Sequence, residues 1–369
     1  MKNKKLKFNI FAFLSNFARS LIEIFISLFL FKNGFTIKEI LLFYFLENFF
    51  AIFLAYIFVK IGERFRYSVV MFIGITSLFV FQVSLNYIDH SLWYLVLISF
   101  LYSMYRRGYW VSRKYYIAQV IPEKNSSGVF SITIIFAQVG SILAGYFGAY
   151  FLDKVSIMPI TIISTVLSFI SVIPLITIKY KKENRKIELI KNLKKYDKRN
   201  LLVFSSYELS NLIAFLFPIY IAMYIQNSYV MAGSVNAVSK VAILIFVFIY
   251  GKVIKKRNYF ILSTVLSLLL YLSKLFFLNY FILVIYFVEG FIGIMQNQSA
   301  NKIYFENRNG VDLTHYNLIY QILESVVRSI VVIPLFFIND IKYMILFVVI
   351  FISCEILIYS FMKKEKKLQ

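Results

Sequence analysis

The sequence predicts an all-α integral membrane protein whose chain crosses the bilayer twelve times. The 369 residues are 60% hydrophobic with a mean hydropathy of +0.75, whereas soluble domains contain about 45–50% apolar residues. Apolar stretches long enough to cross a bilayer, roughly 20 residues each, recur along the whole chain. The short connections between these stretches alternate between strongly basic and nearly uncharged. Together these observations favour a bundle of spanning helices with a fixed orientation.

The spans follow one another with short joins. The twelve are predicted at about residues 8–31, 38–59, 67–87, 92–112, 127–151, 157–179, 201–226, 230–250, 259–278, 280–301, 316–338 and 341–361. We expect the first to be a retained helix, because its apolar stretch is longer than a signal-peptide core and no small-residue cleavage site follows it. Two joins are especially tight, at Asn227-Ser228 and at Leu278-Asn279-Tyr280.

Basic residues set the orientation of these spans. Lys and Arg concentrate before the first span and after the second, fourth, sixth, eighth, tenth and twelfth. Short loops rich in Lys and Arg stay on the cytoplasmic side, so both termini are predicted to be cytoplasmic. In a soluble protein the net charge of +22 would suggest nucleic acid. Here it indicates contact with anionic lipid headgroups.

The longest polar segment divides the chain into two halves. It carries ten basic residues between the sixth and seventh spans, in KYKKENRKIELIKNLKKYDKRN. We predict an N-terminal six-helix bundle over residues 1–180, a basic cytoplasmic linker over 181–200, and a C-terminal six-helix bundle with a basic tail over 201–369. The loops VKIGERFRY and GKVIKKRNY occupy equivalent places in the two halves. Such repeated halves are typical of secondary transporters.

The loop between the second and third spans contains Gly62, Glu63, Arg64 and Arg66. It resembles the G-x-x-x-D-R-x-G-R-R/K motif of the major facilitator superfamily (MFS), with Glu63-Arg64 in place of Asp-Arg. The segment Ile121-Pro122-Glu123 before span five is similar to the family's P-E-x-x-R-G sequence. This resemblance implies an MFS-like fold of two six-helix bundles that alternate in exposing a midplane site. The glycines of span five are predicted to allow close helix packing.

Ionisable residues inside apolar spans are costly and mark functional sites or internal pairs. The candidates for proton coupling are Glu23, Glu47 and Glu289, because a carboxylate in an apolar cavity can bind and release a proton. The candidates for substrate contact or charge pairing are Arg19, Lys240, Glu324, Arg328 and Gln138. The spacing of four residues places Arg19 with Glu23, and Glu324 with Arg328, on one helix face. A purely structural role for both pairs remains open.

Arg106 and Arg107 lie near the cytoplasmic end of span four. Because Tyr109 and Trp110 follow them, we predict that both arginines snorkel to the membrane interface.

The predicted function is secondary active transport, with proton-coupled efflux of a small amphipathic molecule. The sequence has no G-x-x-x-x-G-K-[ST] motif, so ATP hydrolysis by this chain is excluded. With one cysteine and two histidines, no metal site, cofactor or catalytic residue is expected. The expected partners are the small-molecule substrate and anionic lipids, without nucleic acid, for a monomer in the plasma membrane, specifically a bacterial cytoplasmic membrane.

Three other functions fit the same sequence. One is a flippase for lipid-linked sugars, which would need a wide basic cavity. Another is a membrane polysaccharide polymerase, although the external loops are short for an enzyme of that kind. The third is a non-transporting immunity or sensor protein in the membrane.

Overall fold

The computed structural model describes residues 2–120, 126–178, 198–250, 259–306 and 313–368, and these residues contain helices and no strand. The helices are α1 (Lys2–Ser20), α2 (Ile26–Lys32), α3 (Ile37–Arg64), α4 (Tyr67–Ser84), α5 (Leu92–Val120), α6 (Ser126–Lys154), α7 (Ile157–Ile176), α8 (Lys198–Tyr224), α9 (Tyr229–Tyr250), α10 (Phe260–Glu306), α11 (Leu313–Leu335) and α12 (Ile341–Leu368). Most of the predicted linker 181–200 and the Pro122-Glu123 loop lie outside the described residues.

Nine helical segments of the described residues are long and apolar enough to cross a membrane. They correspond to the predicted spans one, two, three, five, six, eight, ten, eleven and twelve. Span four is the helix α5, but its two arginines and many tyrosines lower its hydropathy. Spans seven and nine contain the shorter apolar segments Ala214–Tyr224 and Phe260–Phe276. The count of twelve spans therefore stays a prediction.

The first span is broken near its middle, where the sequence predicts a continuous helix. α1 ends at Ser20, a 3-10 turn occupies Glu23–Phe25, and α2 begins at Ile26. The break brings the carbonyl of Leu21 against Gly148 of α6, where a glycine leaves room for the displaced backbone. The predicted span at 8–31 corresponds to the apolar stretch Lys4–Lys32, and the finding that the sequence did not predict is the interruption of its helix.

The two tight joins differ from each other. α8 and α9 are separate helices connected through Ile225–Ser228. Spans nine and ten run into one another within α10, which is interrupted by a kink where Phe281 has φ −128° and ψ 29°. A single non-helical residue is therefore enough to mark that boundary.

The helices pack in two sets, named here the N-terminal set (α1–α7) and the C-terminal set (α8–α12). In the first, α1 packs on α6 and α7, while α5 packs on α3 and α4. In the second, α9 packs on α10, and α8 on α12. The main contacts between the sets are α6 with α9 and α3 with α11. These contacts place the inward faces of α1, α3, α5, α6, α9 and α11 around the middle of the molecule.

Glycines bring some of these helices into backbone contact. A Cβ atom on Gly233 of α9 would lie 2.7 Å from the carbonyl oxygen of Gly145 in α6. Gly108 of α5 and Gly74 of α4 approach each other in the same way. The outer surface, in contrast, exposes large apolar side chains such as Trp93 and Phe337. In a membrane these side chains would face the acyl chains.

Candidate functional site

The break in the first span carries an ion pair. Arg19 Nε lies 3.0 Å from Glu23 Oε2, which confirms the predicted pairing across four residues. The Tyr102 hydroxyl donates to Glu23 Oε1 at 3.1 Å. The Arg19 guanidinium also lies 5.3 Å from the ring centroids of Tyr109 and Trp110. Aromatic faces attract a guanidinium, so this cation is held by one carboxylate and two rings.

Arg106 and Arg107 turn inward, and the prediction that they snorkel was wrong. Arg106 Nη1 lies 3.0 Å from Glu47 Oε2, and the Glu47 side chain is 0% exposed. α5 packs on α3 along this face, so the arginine replaces water as the partner of a buried carboxylate. The interfacial Tyr109 and Trp110 are likewise neighbours of Arg19.

Arg107 connects the two helix sets. Its side chain is 1% exposed and lies 3.7 Å from Glu324 of α11. Its Nη1 donates to Gln321 Oε1 at 3.4 Å. Glu324 also pairs with Arg328 at 2.9 Å, as their spacing predicts. One carboxylate on α11 is thus shared between a cation of its own helix and a cation of the other set.

A further intramembrane pair lies within α10, and the sequence analysis missed its cation. Lys274 Nζ is 2.7 Å from Glu289 Oε1, and the Lys274 side chain is 0% exposed. The ring of Tyr286 lies 3.8 Å from this nitrogen, and that of Phe217 lies at 4.2 Å. The signal was present in the sequence, since Lys274 is the one basic residue in the predicted span 259–278.

Lys240 of α9 has no carboxylate within 4.0 Å among the described residues. Arg19, Glu23 and Glu289 are close enough to interact electrostatically with it. Asn236, one turn before Lys240 on α9, has an orphaned Nδ2, and Gln138 of α6 has an orphaned Oε1. Gly145 meets Gly233, and Ile135 clusters with Ile243, so this register places Gln138 on the face of α6 that meets α9 near Lys240. Asn236 lies near Gly145 of α6, so these polar groups belong to the α6–α9 contact.

The charged side chains of both sets converge on the middle of the molecule. Glu47, Glu324 and Arg328 all lie close enough to Arg107 to act on it electrostatically. Glu23 acts similarly on Arg106, and Arg19 on Lys240. Within the described chain this central cluster contains six cations and four carboxylates: Arg19, Arg106, Arg107, Lys240, Lys274, Arg328, Glu23, Glu47, Glu289 and Glu324.

The residues of the loop motif lie elsewhere. Gly62 is buried at the end of α3, where the ring of Tyr67 at the start of α4 lies against its Cα. Arg64 and Arg66 are exposed at the turn that follows. A larger side chain at Gly62 would displace the Tyr67 ring, so this part of the motif shapes the turn between the two helices.

Contacts at opposite ends join the two sets. At one end, Asp153 of α6 accepts hydrogen bonds from Ser228 Oγ at 3.2 Å and from the Val230 N–H at 3.1 Å, at the start of α9. Lys32 lies 3.5 Å from the same carboxylate. At the other end, Lys114 Nζ of α5 lies 3.8 Å from the ring centroid of Tyr320 in α11. Side-chain contacts therefore bridge the two sets at both ends of the bundle.

The ion pairs of the central cluster can exchange partners with an entering proton or anion. Every carboxylate in it has a cation within 4.0 Å, so a proton or an anion that enters can displace one partner of a pair. No group of three or more metal-ligating side chains occurs in the residues that the structure describes. An apolar groove lined by residues such as Phe79 and Tyr94 lies on the outer face of α4 and α5 and includes none of these charges.

The comparisons with known proteins agree with this architecture. A model of the Major Facilitator Superfamily matches residues 8–332. The fold is similar to three solved transporters: a bacterial homologue of the iron transporter ferroportin in an outward-facing state (TM-score 0.69, 11% identity, 97% of this chain and 98% of that chain), the nucleoside transporter NupG (0.69, 14%, 97% and 99%) and the POT family transporter PepTSo (0.73, 10%, 99% and 98%).

A comparison with curated protein sequences gives no match. The identities to the solved structures are low, so that similarity concerns the fold alone. The family model, however, spans most of the sequence. The chain therefore belongs to the Major Facilitator Superfamily and is a multi-pass, non-enzymatic membrane transporter.

Proposed function

We propose that this protein is a secondary transporter that exports a small amphipathic molecule in exchange for protons. In this proposal the chain crosses the membrane twelve times with both termini in the cytoplasm, and it resides in a bacterial cytoplasmic membrane. Residues 1–180 and 201–369 rock against each other about the central cluster, joined by the linker 181–200. One observation carries the proposal. Each set has an ion pair inside a span whose carboxylate is still partly exposed, Arg19–Glu23 in the N-terminal set and Lys274–Glu289 in the C-terminal set.

The candidate proton carriers differ in how much of each carboxylate side chain is exposed to water. Glu23 and Glu289 are partly exposed, and each has one cation within 4.0 Å among the described residues, at 3.0 Å and 2.7 Å. Glu47 is fully buried against Arg106. A carrier must exchange protons with water from at least one side, so we assign coupling to Glu23 and Glu289. Glu47 then holds α5 against α3.

Aromatic side chains around the cluster support an amphipathic substrate. The rings of Tyr102, Tyr109 and Trp110 surround Arg19 and Glu23, and those of Phe217 and Tyr286 surround Lys274. A ring offers apolar area together with a face that attracts cations. The site can therefore accept an apolar body while the charged groups contact a polar end.

The test uses purified protein in sealed vesicles that contain a pH-sensitive dye. A proton gradient is imposed, amphipathic compounds are screened, and substrate-induced proton flux is recorded for the natural protein, Glu23→Gln and Glu289→Gln. We expect either substitution to abolish the flux, because an amide cannot carry the proton. Glu39→Gln is the matched control, since Glu39 only completes the exposed cap at the start of α3.

Removing Glu289 alone leaves Lys274 without its counter-charge, so the same assay includes the double variant Lys274→Met/Glu289→Gln. Loss of flux in a folded double variant supports the assignment. Undiminished flux in both Glu23→Gln and the double variant would overturn proton coupling through these carboxylates. Movement of labelled lipid-linked sugar without proton flux would instead establish the flippase function.

A further inference from the structure

We propose that the transported molecule is an anion whose carboxylate or phosphate group binds Lys240, between α9, α6 and α1. This inference rests on the proposed transport function and adds the charge of the substrate. It depends on four features of the described residues: an uncompensated lysine, a second cation beside it, two orphaned polar groups and a break in the adjacent helix.

Lys240 differs from the other cations of the central cluster. Arg19, Arg106 and Lys274 each have a carboxylate within 3.0 Å, and Arg107 and Arg328 share Glu324. Lys240 has none within 4.0 Å in the described part of the chain, and the nearby Glu289 already binds Lys274. A lysine inside an apolar span is costly unless it meets an opposite charge. The missing charge can be supplied by a bound anion.

The second cation strengthens this argument. Arg19 and Lys240 lie close enough to repel each other. Arg19 forms an ion pair with Glu23, and both groups act on Lys240. The two cations and one carboxylate leave a net charge of +1 in a medium of low polarity, which a bound anion would neutralise.

Two side-chain polar atoms at the α6–α9 contact also lack a hydrogen-bond partner among the described residues. Asn236 is four residues before Lys240 and so shares its helix face. Its Nδ2 is a buried donor without an acceptor among the described residues, and Gln138 on the facing helix α6 has an orphaned Oε1. Buried polar atoms in native proteins are nearly always satisfied. A carboxylate or phosphate oxygen would accept from Asn236 Nδ2, and a hydroxyl or N–H of the ligand would donate to Gln138 Oε1.

The broken first span borders this site. The break, Leu21–Phe25, begins two residues after Arg19, packs against α9 and lies opposite Gly148 of α6. Interrupted helices in transporters free backbone groups that line a binding site. Trp110 and Tyr109, 5.3 Å from the Arg19 guanidinium, offer rings for the apolar part of the ligand.

Trp110 provides a direct assay. The chain has two tryptophans, and the other, Trp93, is exposed on the outer surface. In a Trp93→Phe background, quenching of Trp110 fluorescence is titrated with four heavy-atom probes that share a 4-bromophenyl ring: 4-bromobenzoate, 4-bromophenyl phosphate, 4-bromobenzamide and 4-bromobenzylamine. We expect one or both anions to bind at concentrations about tenfold below the neutral amide, which is the effect of one charge-assisted hydrogen bond. The stronger anion identifies the acidic group.

The contribution of Lys240 is isolated by substitution in the same background. Lys240→Met should weaken binding of the preferred anion about tenfold and leave the amide unchanged, whereas Lys240→Arg should retain the preference. Lys342→Met is the matched control, because Lys342 lies on the ring of Tyr224 at the end of the bundle. Thermal unfolding verifies that each variant is folded; Lys240→Met removes an uncompensated charge and should be no less stable.

Equal binding of all four probes, tighter binding of the amine, or an unchanged anion preference in folded Lys240→Met would each overturn the inference. Because this assay measures equilibrium binding in detergent, its result is independent of proton flux. An anion preference without flux would refute the transport proposal alone, and flux without an anion preference would refute the anion proposal alone.

Discussion

Most charges of the central cluster form ion pairs, and Lys274 with Glu289, at 2.7 Å, is the shortest such pair among the described residues. Lys274 is fully buried among aromatic rings, so no water can replace its carboxylate partner. Removing one member of such a pair leaves an unpaired charge, whereas removing both leaves an apolar contact.

We therefore expect Glu289→Gln to lower the free energy of unfolding by about 3–5 kcal/mol, and the double variant Lys274→Met/Glu289→Gln to recover most of that loss. Thermal unfolding in detergent measures all three proteins. Lys342→Met serves as the control for loss of a lysine at the end of the bundle, away from the central cluster. Equal destabilisation in the single and double variants would contradict the pairing.

At this scale the sequence located the charges inside the spans better than it predicted their partners. Charges inside apolar spans are visible in the sequence, and the pairs Arg19–Glu23 and Glu324–Arg328 follow from helical spacing. The pair Arg106–Glu47 joins α5 to α3, and Arg107 reaches α11. Such partners depend on which helices are neighbours, which spacing along one helix does not specify.

At the scale of helices, the contact between α6 and α9 depends on glycine. A Cβ atom on Gly233 would lie 2.7 Å from the carbonyl oxygen of Gly145 and 3.0 Å from Ala149 Cβ. Both distances are too short for an ordinary contact, so an added methyl group must push the two helices apart. Gly293 of α10 has no such neighbour within 4 Å.

We expect Gly233→Ala to destabilise the protein by about 1–3 kcal/mol through overpacking. Gly293→Ala should instead stabilise it by about 0.5–1 kcal/mol, because alanine loses less backbone entropy in a helix. Thermal unfolding of the two variants gives the comparison. Equal changes in stability for the two substitutions would mean that α6 and α9 can move apart to accommodate a methyl group without loss of stability.

The molecule as a whole is held by contacts at both ends of the interface between the sets. Asp153 with Ser228 joins α6 to α9 at one end, and Lys114 with Tyr320 joins α5 to α11 at the other. In the proposed rocking motion, one of these two contacts opens while the other persists.

Thiol cross-linking tests this motion, and Cys354→Ser removes the one native cysteine. Two double-cysteine variants are made, one with cysteine at both Asp153 and Ser228 and one with cysteine at both Lys114 and Tyr320. A short bifunctional reagent then links the two thiols of each variant. We expect either cross-link to stop transport, and substrate to change the two linking rates in opposite directions.

The control for this experiment is a pair within one set. Ser20 and Ser141 hydrogen-bond at 3.0 Å between α1 and α6, so cysteines at these positions should cross-link without loss of transport. Continued transport with the α6–α9 cross-link in place would show that this contact does not open.

The sequence by itself determined the membrane-spanning character, the helical class and the family of this protein, because hydropathy, loop charge and short motifs are local properties of a chain. It also identified nine spans that the structure bears out by length and composition. The tertiary structure alone decided the break between Ser20 and Ile26, the inward turn of Arg106 and Arg107, and the lack of a carboxylate within 4.0 Å of Lys240 in the described part of the chain. These features arise from the packing of helices far apart in sequence, where neighbouring backbones and charges determine each conformation.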